Sequence, residues 1–166
     1  TGQELRCLNG HQAAVWPVAF SPDGKTLAAG GKDGTIRLWE TESGEELRHF
    51  RAHQDPVWPI AFAPDGCSLI SAGWQDQTVR VWEVNTGLER RQFIHPGGVK
   101  FVSVSPDGKT LASGGGDGTT RLWEIATGKE RGRFTGHRGH VMGVAFSPDG
   151  KRLVSGSLDT TLLLWD

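Results

Sequence analysis

An all-β fold of four similar units is what this sequence predicts, from two markers that share one period and from the turn chemistry between them. The motif Ser21-Pro22-Asp23-Gly24 returns as Ala63-Pro64-Asp65-Gly66, Ser105-Pro106-Asp107-Gly108 and Ser147-Pro148-Asp149-Gly150, each 42 residues on. A Trp followed by an acid returns as Trp39-Glu40, Trp82-Glu83, Trp123-Glu124 and Trp165-Asp166, at steps of 43, 41 and 42. Self-similarity at such a period marks stacked supersecondary units. Single-residue insertions and deletions therefore fall between the markers.

Each period divides into four short strands. The first is the stretch before a histidine, such as Glu46–Arg51, and its earliest copy is Glu4–Leu8. The second is Val57–Phe62, apolar on both faces. Pro-Asp-Gly then turns the chain, because Pro presets φ and Gly accepts positive φ. The third strand is Ser68–Ala72. Asp33-Gly34 and Asp117-Gly118 follow it in repeats 1 and 3, a strong hairpin signal. The fourth is Thr78–Trp82, alternating polar and apolar. Ser43-Gly44, Thr86-Gly87 and Thr127-Gly128 lead into the next period. The repeats run at about 1–40, 41–83, 84–124 and 125–166, in a single expected domain.

Composition narrows the function classes. The formal net charge is −1, which gives no basic field for nucleic acid and no polybasic membrane patch. Apolar runs such as Leu162–Trp165 are far shorter than a membrane span. Glycine is abundant at 24 residues, as many tight turns require. Cys7 and Cys67 occupy non-equivalent positions, so free thiols and a cytoplasmic, reducing setting are expected. No Cys/His spacing suits zinc, no segment is dense enough in oxygen ligands for calcium, and Gly114-Gly115-Gly116 precedes a hairpin rather than a phosphate-binding helix. No cofactor or metal is expected.

Four strands in about 42 residues, closed by a Trp-acid pair, resemble the WD-repeat family over all 166 residues. Val144-Ala145-Phe146-Ser147-Pro148-Asp149-Gly150-Lys151 resembles its bacterial members in particular. The resemblance implies a β-propeller of four-stranded antiparallel blades. It also implies that the first strand of each repeat is the outer strand of the preceding blade.

One constellation imitates a hydrolase. Repeat 2 carries His53, Ser71, Asp76 and Trp82; repeat 3 carries His95, Ser113, Asp117 and Trp123; repeat 4 carries His137, Ser155, Asp159 and Trp165. Ser, His and Asp suggest a triad, but an active site does not need several copies at one period. The resemblance implies a hydrogen-bonded chain inside each blade, which suits groups that are costly to bury unpaired. Repeat 1 keeps His11, Asp33 and Trp39 but has Ala29 in place of Ser. It is expected to be the least rigid, and the chain is expected not to be an enzyme.

Four blades are fewer than the seven or eight usual in this family. Such rings need roughly 45–51° between neighbours, nearer the packing angle of aligned sheets, about 30°, than the 90° of a four-blade ring. The expectation is half of an eight-blade ring, closed as a two-fold homodimer in which Glu4–Leu8 of each copy completes blade 4 of the other. Leu5, Cys7, Leu162, Leu163 and Leu164 are the candidate seam; Leu163 stands where repeats 1–3 have Arg37, Arg80 and Arg121. The rivals are a piece of a longer propeller and, third, a closed four-blade ring.

Partner-facing positions follow from the family register: Ala14, Trp16 and Lys32; Pro56, Trp58 and Gln75; Gly98, Lys100 and Gly116; His140, Met142 and Leu158. Trp16 and Trp58 are apolar where polar residues are common in the family, and Trp is frequent at binding hot spots; the alternative is that both pack against neighbouring blades as core. Trp74 is a further candidate. The expected function is a protein-interaction scaffold binding itself and a protein or peptide at one rim. The alternative is a structural, fragment-derived or engineered assembly without a natural ligand.

Overall fold

A computed structural model describes residues 2–166. Its strands form four consecutive antiparallel meanders. Blade 1 contains β1 (Val15–Phe20), β2 (Thr26–Gly31), β3 (Thr35–Glu40) and β4 (Glu46–Arg51). Blade 2 contains β5 (Val57–Phe62), β6 (Ser68–Gly73), β7 (Thr78–Glu83) and β8 (Glu89–Ile94). Blade 3 contains β9 (Val99–Val104), β10 (Thr110–Gly115), β11 (Thr119–Glu124) and β12 (Glu130–Thr135). Blade 4 has three strands, β13 (Val141–Phe146), β14 (Leu153–Ser157) and β15 (Leu162–Trp165). No helix occurs among the described residues.

The turns explain the meander. In the β1–β2 turn, Gly24 takes φ +70°, while Asp23 accepts hydrogen bonds from the Ser21 hydroxyl at 2.6 Å and the Lys25 amide at 3.0 Å. Alternation then assigns the faces. Ile36 and Leu38 point at blade 2 and join Val57, Leu69 and Trp82 in one apolar layer. Val79 and Val81 do the same with Val99, Leu111 and Trp123. Val141, Val144 and Leu153 form the third layer, with Leu122 and Trp165 packed against it. The core is thus a series of seams between blades. The inner strands stand side by side in the order β1, β5, β9, β13.

Glu4–Leu8 corrects an expectation: it is not a strand. It has no sheet to pair with and lies over the β3–β4 turn, where Arg6 donates to the Ser43 carbonyl at 2.9 Å. The end faces are open. Phe20 is 62% exposed on blade 1 and Leu162 is 77% exposed on blade 4, so the four blades do not close on one another within the chain.

Candidate interaction surface

The polar chain inside blade 2 is complete. The Trp82 indole N–H donates to the Ser71 hydroxyl at 2.8 Å, and that hydroxyl meets His53 Nε2 at 2.7 Å. His53 Nδ1 faces Asp76 at 2.7 Å. Burial pushes the Asp76 carboxyl up, but hydrogen bonds from His53 and Thr78 outweigh it and hold the group below its ordinary range. Blade 4 repeats the chain through Trp165, Ser155, His137 and Asp159. In blade 3, His95 turns its ring over: Nδ1 faces Ser113 at 2.8 Å and Nε2 faces Asp117 at 3.3 Å. That histidine comes one residue sooner after its strand's Phe, as Phe93-Ile94-His95 against Phe50-Arg51-Ala52-His53. Burial lowers the His95 pKa to about 4. In blade 1 the chain is broken, and His11 Nε2 is buried without a partner.

Ser71, Ser113 and Ser155 are fully buried, each with its hydroxyl held between an indole and an imidazole. A nucleophile so enclosed has no access to a substrate carbonyl. The network has a fifth member beyond the four residue types that the repeat pattern singles out. Thr35, Thr78, Thr119 and Thr161 each donate to the blade's Asp, at 2.6–2.9 Å, and the Asp-x-Thr spacing was there to be read. Repeat 2 adds Asp55, a second carboxylate beside His53 and Asp76, with the three ligand atoms within 4.8 Å of one another. Its Oδ2 accepts from the Gln75 amide at 2.6 Å and its Oδ1 is buried unpartnered. Both nitrogens of His53 are already engaged, so a cation there could use the imidazole only by breaking the blade's chain.

The rim is built by irregularity in the inner strands. Pairing shifts register between Val15 and Val18, between Val57 and Ile60, opposite Gly114 and Gly115, and between Val141 and Gly143. Such bulges re-aim side chains, and Pro17 and Pro59 suit them because proline has no ladder N–H to donate. Trp16, Trp58, Lys100 and Met142 sit in these shifts. Trp16 and Trp58 are 46% and 37% exposed and meet edge to face at 5.1 Å. With Pro17, Pro59, Phe101 and Met142 they border a concavity of about 430 Å³. Lys100 is half-buried, its Nζ 3.4 Å from the Trp74 ring centroid and 4.6 Å from that of Trp58. Burial pushes its ammonium pKa down.

The remaining rim positions separate. His140 joins the cluster, 5.6 Å from Trp74. Lys32, Gln75 and Leu158 are exposed on the hairpins after β2, β6 and β14. Gly98 corrects its assignment as an exposed position: it is buried. The Trp74 side chain lies across blade 3, and a Cβ on Gly98 would meet Trp74 within 2.8 Å of its ring and 2.3 Å of its carbonyl. A Cβ on Gly116 would meet the ring at 2.4 Å.

At the ends, the candidate seam residues Leu5, Cys7, Leu162 and Leu164 are exposed and Leu163 is half-buried. Leu162 and Leu164 hold the register of Ile36 and Leu38, which blade 2 covers. Arg37, Arg80 and Arg121 pair with Glu46, Glu89 and Glu130 of the outer strands at 2.5, 3.1 and 3.3 Å; Leu163 occupies their register in blade 4.

A family model described as "WD domain, G-beta repeat" matches residues 2–40, 44–83, 89–124 and 128–166. Among curated proteins, a stretch of 43 residues is 46% identical to eukaryotic translation initiation factor 3 subunit I of Phaeosphaeria nodorum. A stretch of 44 residues is 50% identical to the serine-threonine kinase receptor-associated protein of Gallus gallus, and 48% identical to that of Homo sapiens. Each stretch is 26% of this chain and 13% of the relative.

Proposed function

This chain belongs to the WD-repeat family, and on that premise we propose that it is a protein-interaction scaffold with its partner surface at the inner rim. The observation that carries this is the exposed Trp16–Trp58 pair at the concavity. Two large rings held by bulged backbone, partly open to solvent, suit a hot spot more than a core. Trp16→Ala with Trp58→Ala should abolish partner capture and leave the unfolding midpoint nearly unchanged. A large loss of stability without loss of capture would return these residues to the core. The scaffold is not catalytic, in keeping with the enclosed serines, and its exposed Cys7 and Cys67 thiols suit the cytoplasm.

We further propose that a second copy covers the open faces, giving a two-fold eight-blade ring. Two features support it. Leu162 and Leu164 repeat the pattern that each earlier blade buries under the next, and large open apolar faces favour association. Residues 3–8 also lie on blade 1 as β4 lies on blade 2: Arg6 and Leu8 approach Gly44 as Arg48 and Phe50 approach Gly87. Leu163 would give an incoming strand apolar contact in place of the Arg–Glu pair. Light scattering after size exclusion should read twice the 18.0 kDa chain mass; a monomer at micromolar concentration overturns the dimer. A second source of covering blades is a longer chain. A structural assembly without a ligand is the remaining alternative, and loss of capture by the Trp pair variant tells against it.

A further inference from the structure

The four inner strands, Val15–Phe20, Val57–Phe62, Val99–Val104 and Val141–Phe146, carry one ionisable side chain, Lys100. It makes no ion pair among the described residues. Its ammonium is instead held against Trp74 and Trp58, an arrangement that attracts a cation through the ring quadrupole. The clasp is built in. Repeat 2 spends one residue more between Asp65 and Trp82 than the other repeats spend on the equivalent stretch, and Trp74 lies in that stretch. Gly98 and Gly116 leave the space in which its ring lies across blade 3. A long flexible side chain that normally loses rotamer entropy on binding is therefore already fixed.

We propose that Lys100 is the anchor for a carboxylate of an acidic peptide, with the adjoining apolar side chain of that peptide seated in the concavity of Trp16, Phe101 and Met142. This rests on the inner-rim reading of the scaffold and names the chemistry of its partner. The aromatic slot is already filled by a lysine, so an incoming ammonium or guanidinium meets a taken place and a like charge. An incoming carboxylate meets a partly desolvated ammonium whose N–H donors are not spent on any acid of the chain. Charge-assisted hydrogen bonds to such a group are stronger than neutral ones. The apolar border supplies contact area, and the single charge fixes register and sign.

The test is selection from a random dodecapeptide phage library on the intact chain and on its Lys100→Met and Lys100→Arg variants, followed by calorimetry with synthetic winners. Lys100→Met keeps length and apolar contact with both indoles while removing the charge. Wild type should enrich Asp or Glu beside an aromatic or aliphatic residue, and Lys100→Met should lose that enrichment while Lys100→Arg keeps it. Converting the winning peptide's carboxylate to the carboxamide should weaken binding to wild type at least tenfold and barely change binding to Lys100→Met. Selection of no binders, of binders with no acidic position, or of acidic binders indifferent to Lys100→Met overturns the anchor. Non-acidic binders that are lost in Trp16→Ala would still leave the scaffold reading standing, so the two failures are distinguishable. Far-ultraviolet circular dichroism and the unfolding midpoint confirm that each variant is folded.

Discussion

In blade 2 the Ser71 hydroxyl stands between the His53 imidazole and the Trp82 indole; in blade 1 the same place holds the Ala29 methyl group, and His11 Nε2 is buried with no partner. The two sheets nevertheless share a register. Ala29 lies opposite Arg37 as Ser71 lies opposite Arg80, and Leu27 opposite Trp39 as Leu69 opposite Trp82. Strand pairing is therefore set by alternation and turns, and the polar chain acts on top of it. Its contribution is to let a blade bury an imidazole without leaving a ring nitrogen unsatisfied, which otherwise costs about 1–3 kcal/mol. The ways to sharpen this contrast are to charge the histidines, to break the complete chain, and to mend the broken one.

Acid gives the largest effect. Burial holds the imidazoles of His11 and His95 below their usual range, His95 at about 4. The unfolded chain takes up protons near pH 6.5 that folded His95 refuses until pH 4. Its burial therefore costs nothing well above pH 6.5, and stability falls as pH drops through that window. From about 1.4 kcal/mol per pH unit, His95 alone accounts for a loss of about 3 kcal/mol by pH 4. Urea midpoints between pH 7 and pH 4 should follow this slope. His95→Gln, less stable at neutral pH, should show a flatter profile; an equally steep one would place the acid sensitivity elsewhere.

Breaking blade 2 comes next. Ser71→Ala removes one oxygen and leaves two buried groups, His53 Nε2 and the Trp82 indole N–H, unpaired. The expected cost is about 2 kcal/mol, read from chemical denaturation at neutral pH. The converse is Ala29→Ser, which gives His11 Nε2 the hydroxyl it lacks and should add about 1 kcal/mol. If blade 1 gains nothing, a water or an altered His11 ring already meets that nitrogen and the contrast between the blades is smaller than it looks.

Much of this was legible in the residues, for a definite reason. A period repeated four times exposes whatever each unit needs, and His, Ser, Asp and Trp stood out at matching places. Ala29 marked the incomplete blade through the same alignment. The Thr of Asp-x-Thr repeats just as faithfully, but a threonine at the start of a strand does not by itself mark a network member, because threonine is common in strands. What the spacing could not convey was direction. A one-residue excess before Trp82 could be counted, but only the packed blades show the Trp74 ring lying over Gly98 and Gly116 to hold Lys100. A deletion before His95 could likewise be counted, but not the turned ring that accompanies it. Glu4–Leu8 had the composition of its later copies and no sheet to join, because a strand is defined by its neighbour.

The hairpins carry the smallest difference between blades. After the network Asp, blades 1 and 3 place Gly34 and Gly118, at φ +80° and +75°, while blades 2 and 4 place Gln77 and Thr160, at φ +56° and +73°. An L-residue in this region is strained by roughly 1–2 kcal/mol, and a β-branched one is a genuine outlier. Glycine relieves the strain but loses about 0.5–1 kcal/mol more backbone entropy on folding. Thr160→Gly should therefore stabilise by only about 0.5 kcal/mol, and Gln77→Gly by less, since glutamine is not branched at Cβ. Thr160 is exposed and Thr161 makes the bond to Asp159, so no side-chain contact of the network is lost. If Thr160→Gly instead destabilises, the threonine conformation is held by something that the entropy of glycine cannot match, and the hairpins of blades 1 and 4 are not interchangeable.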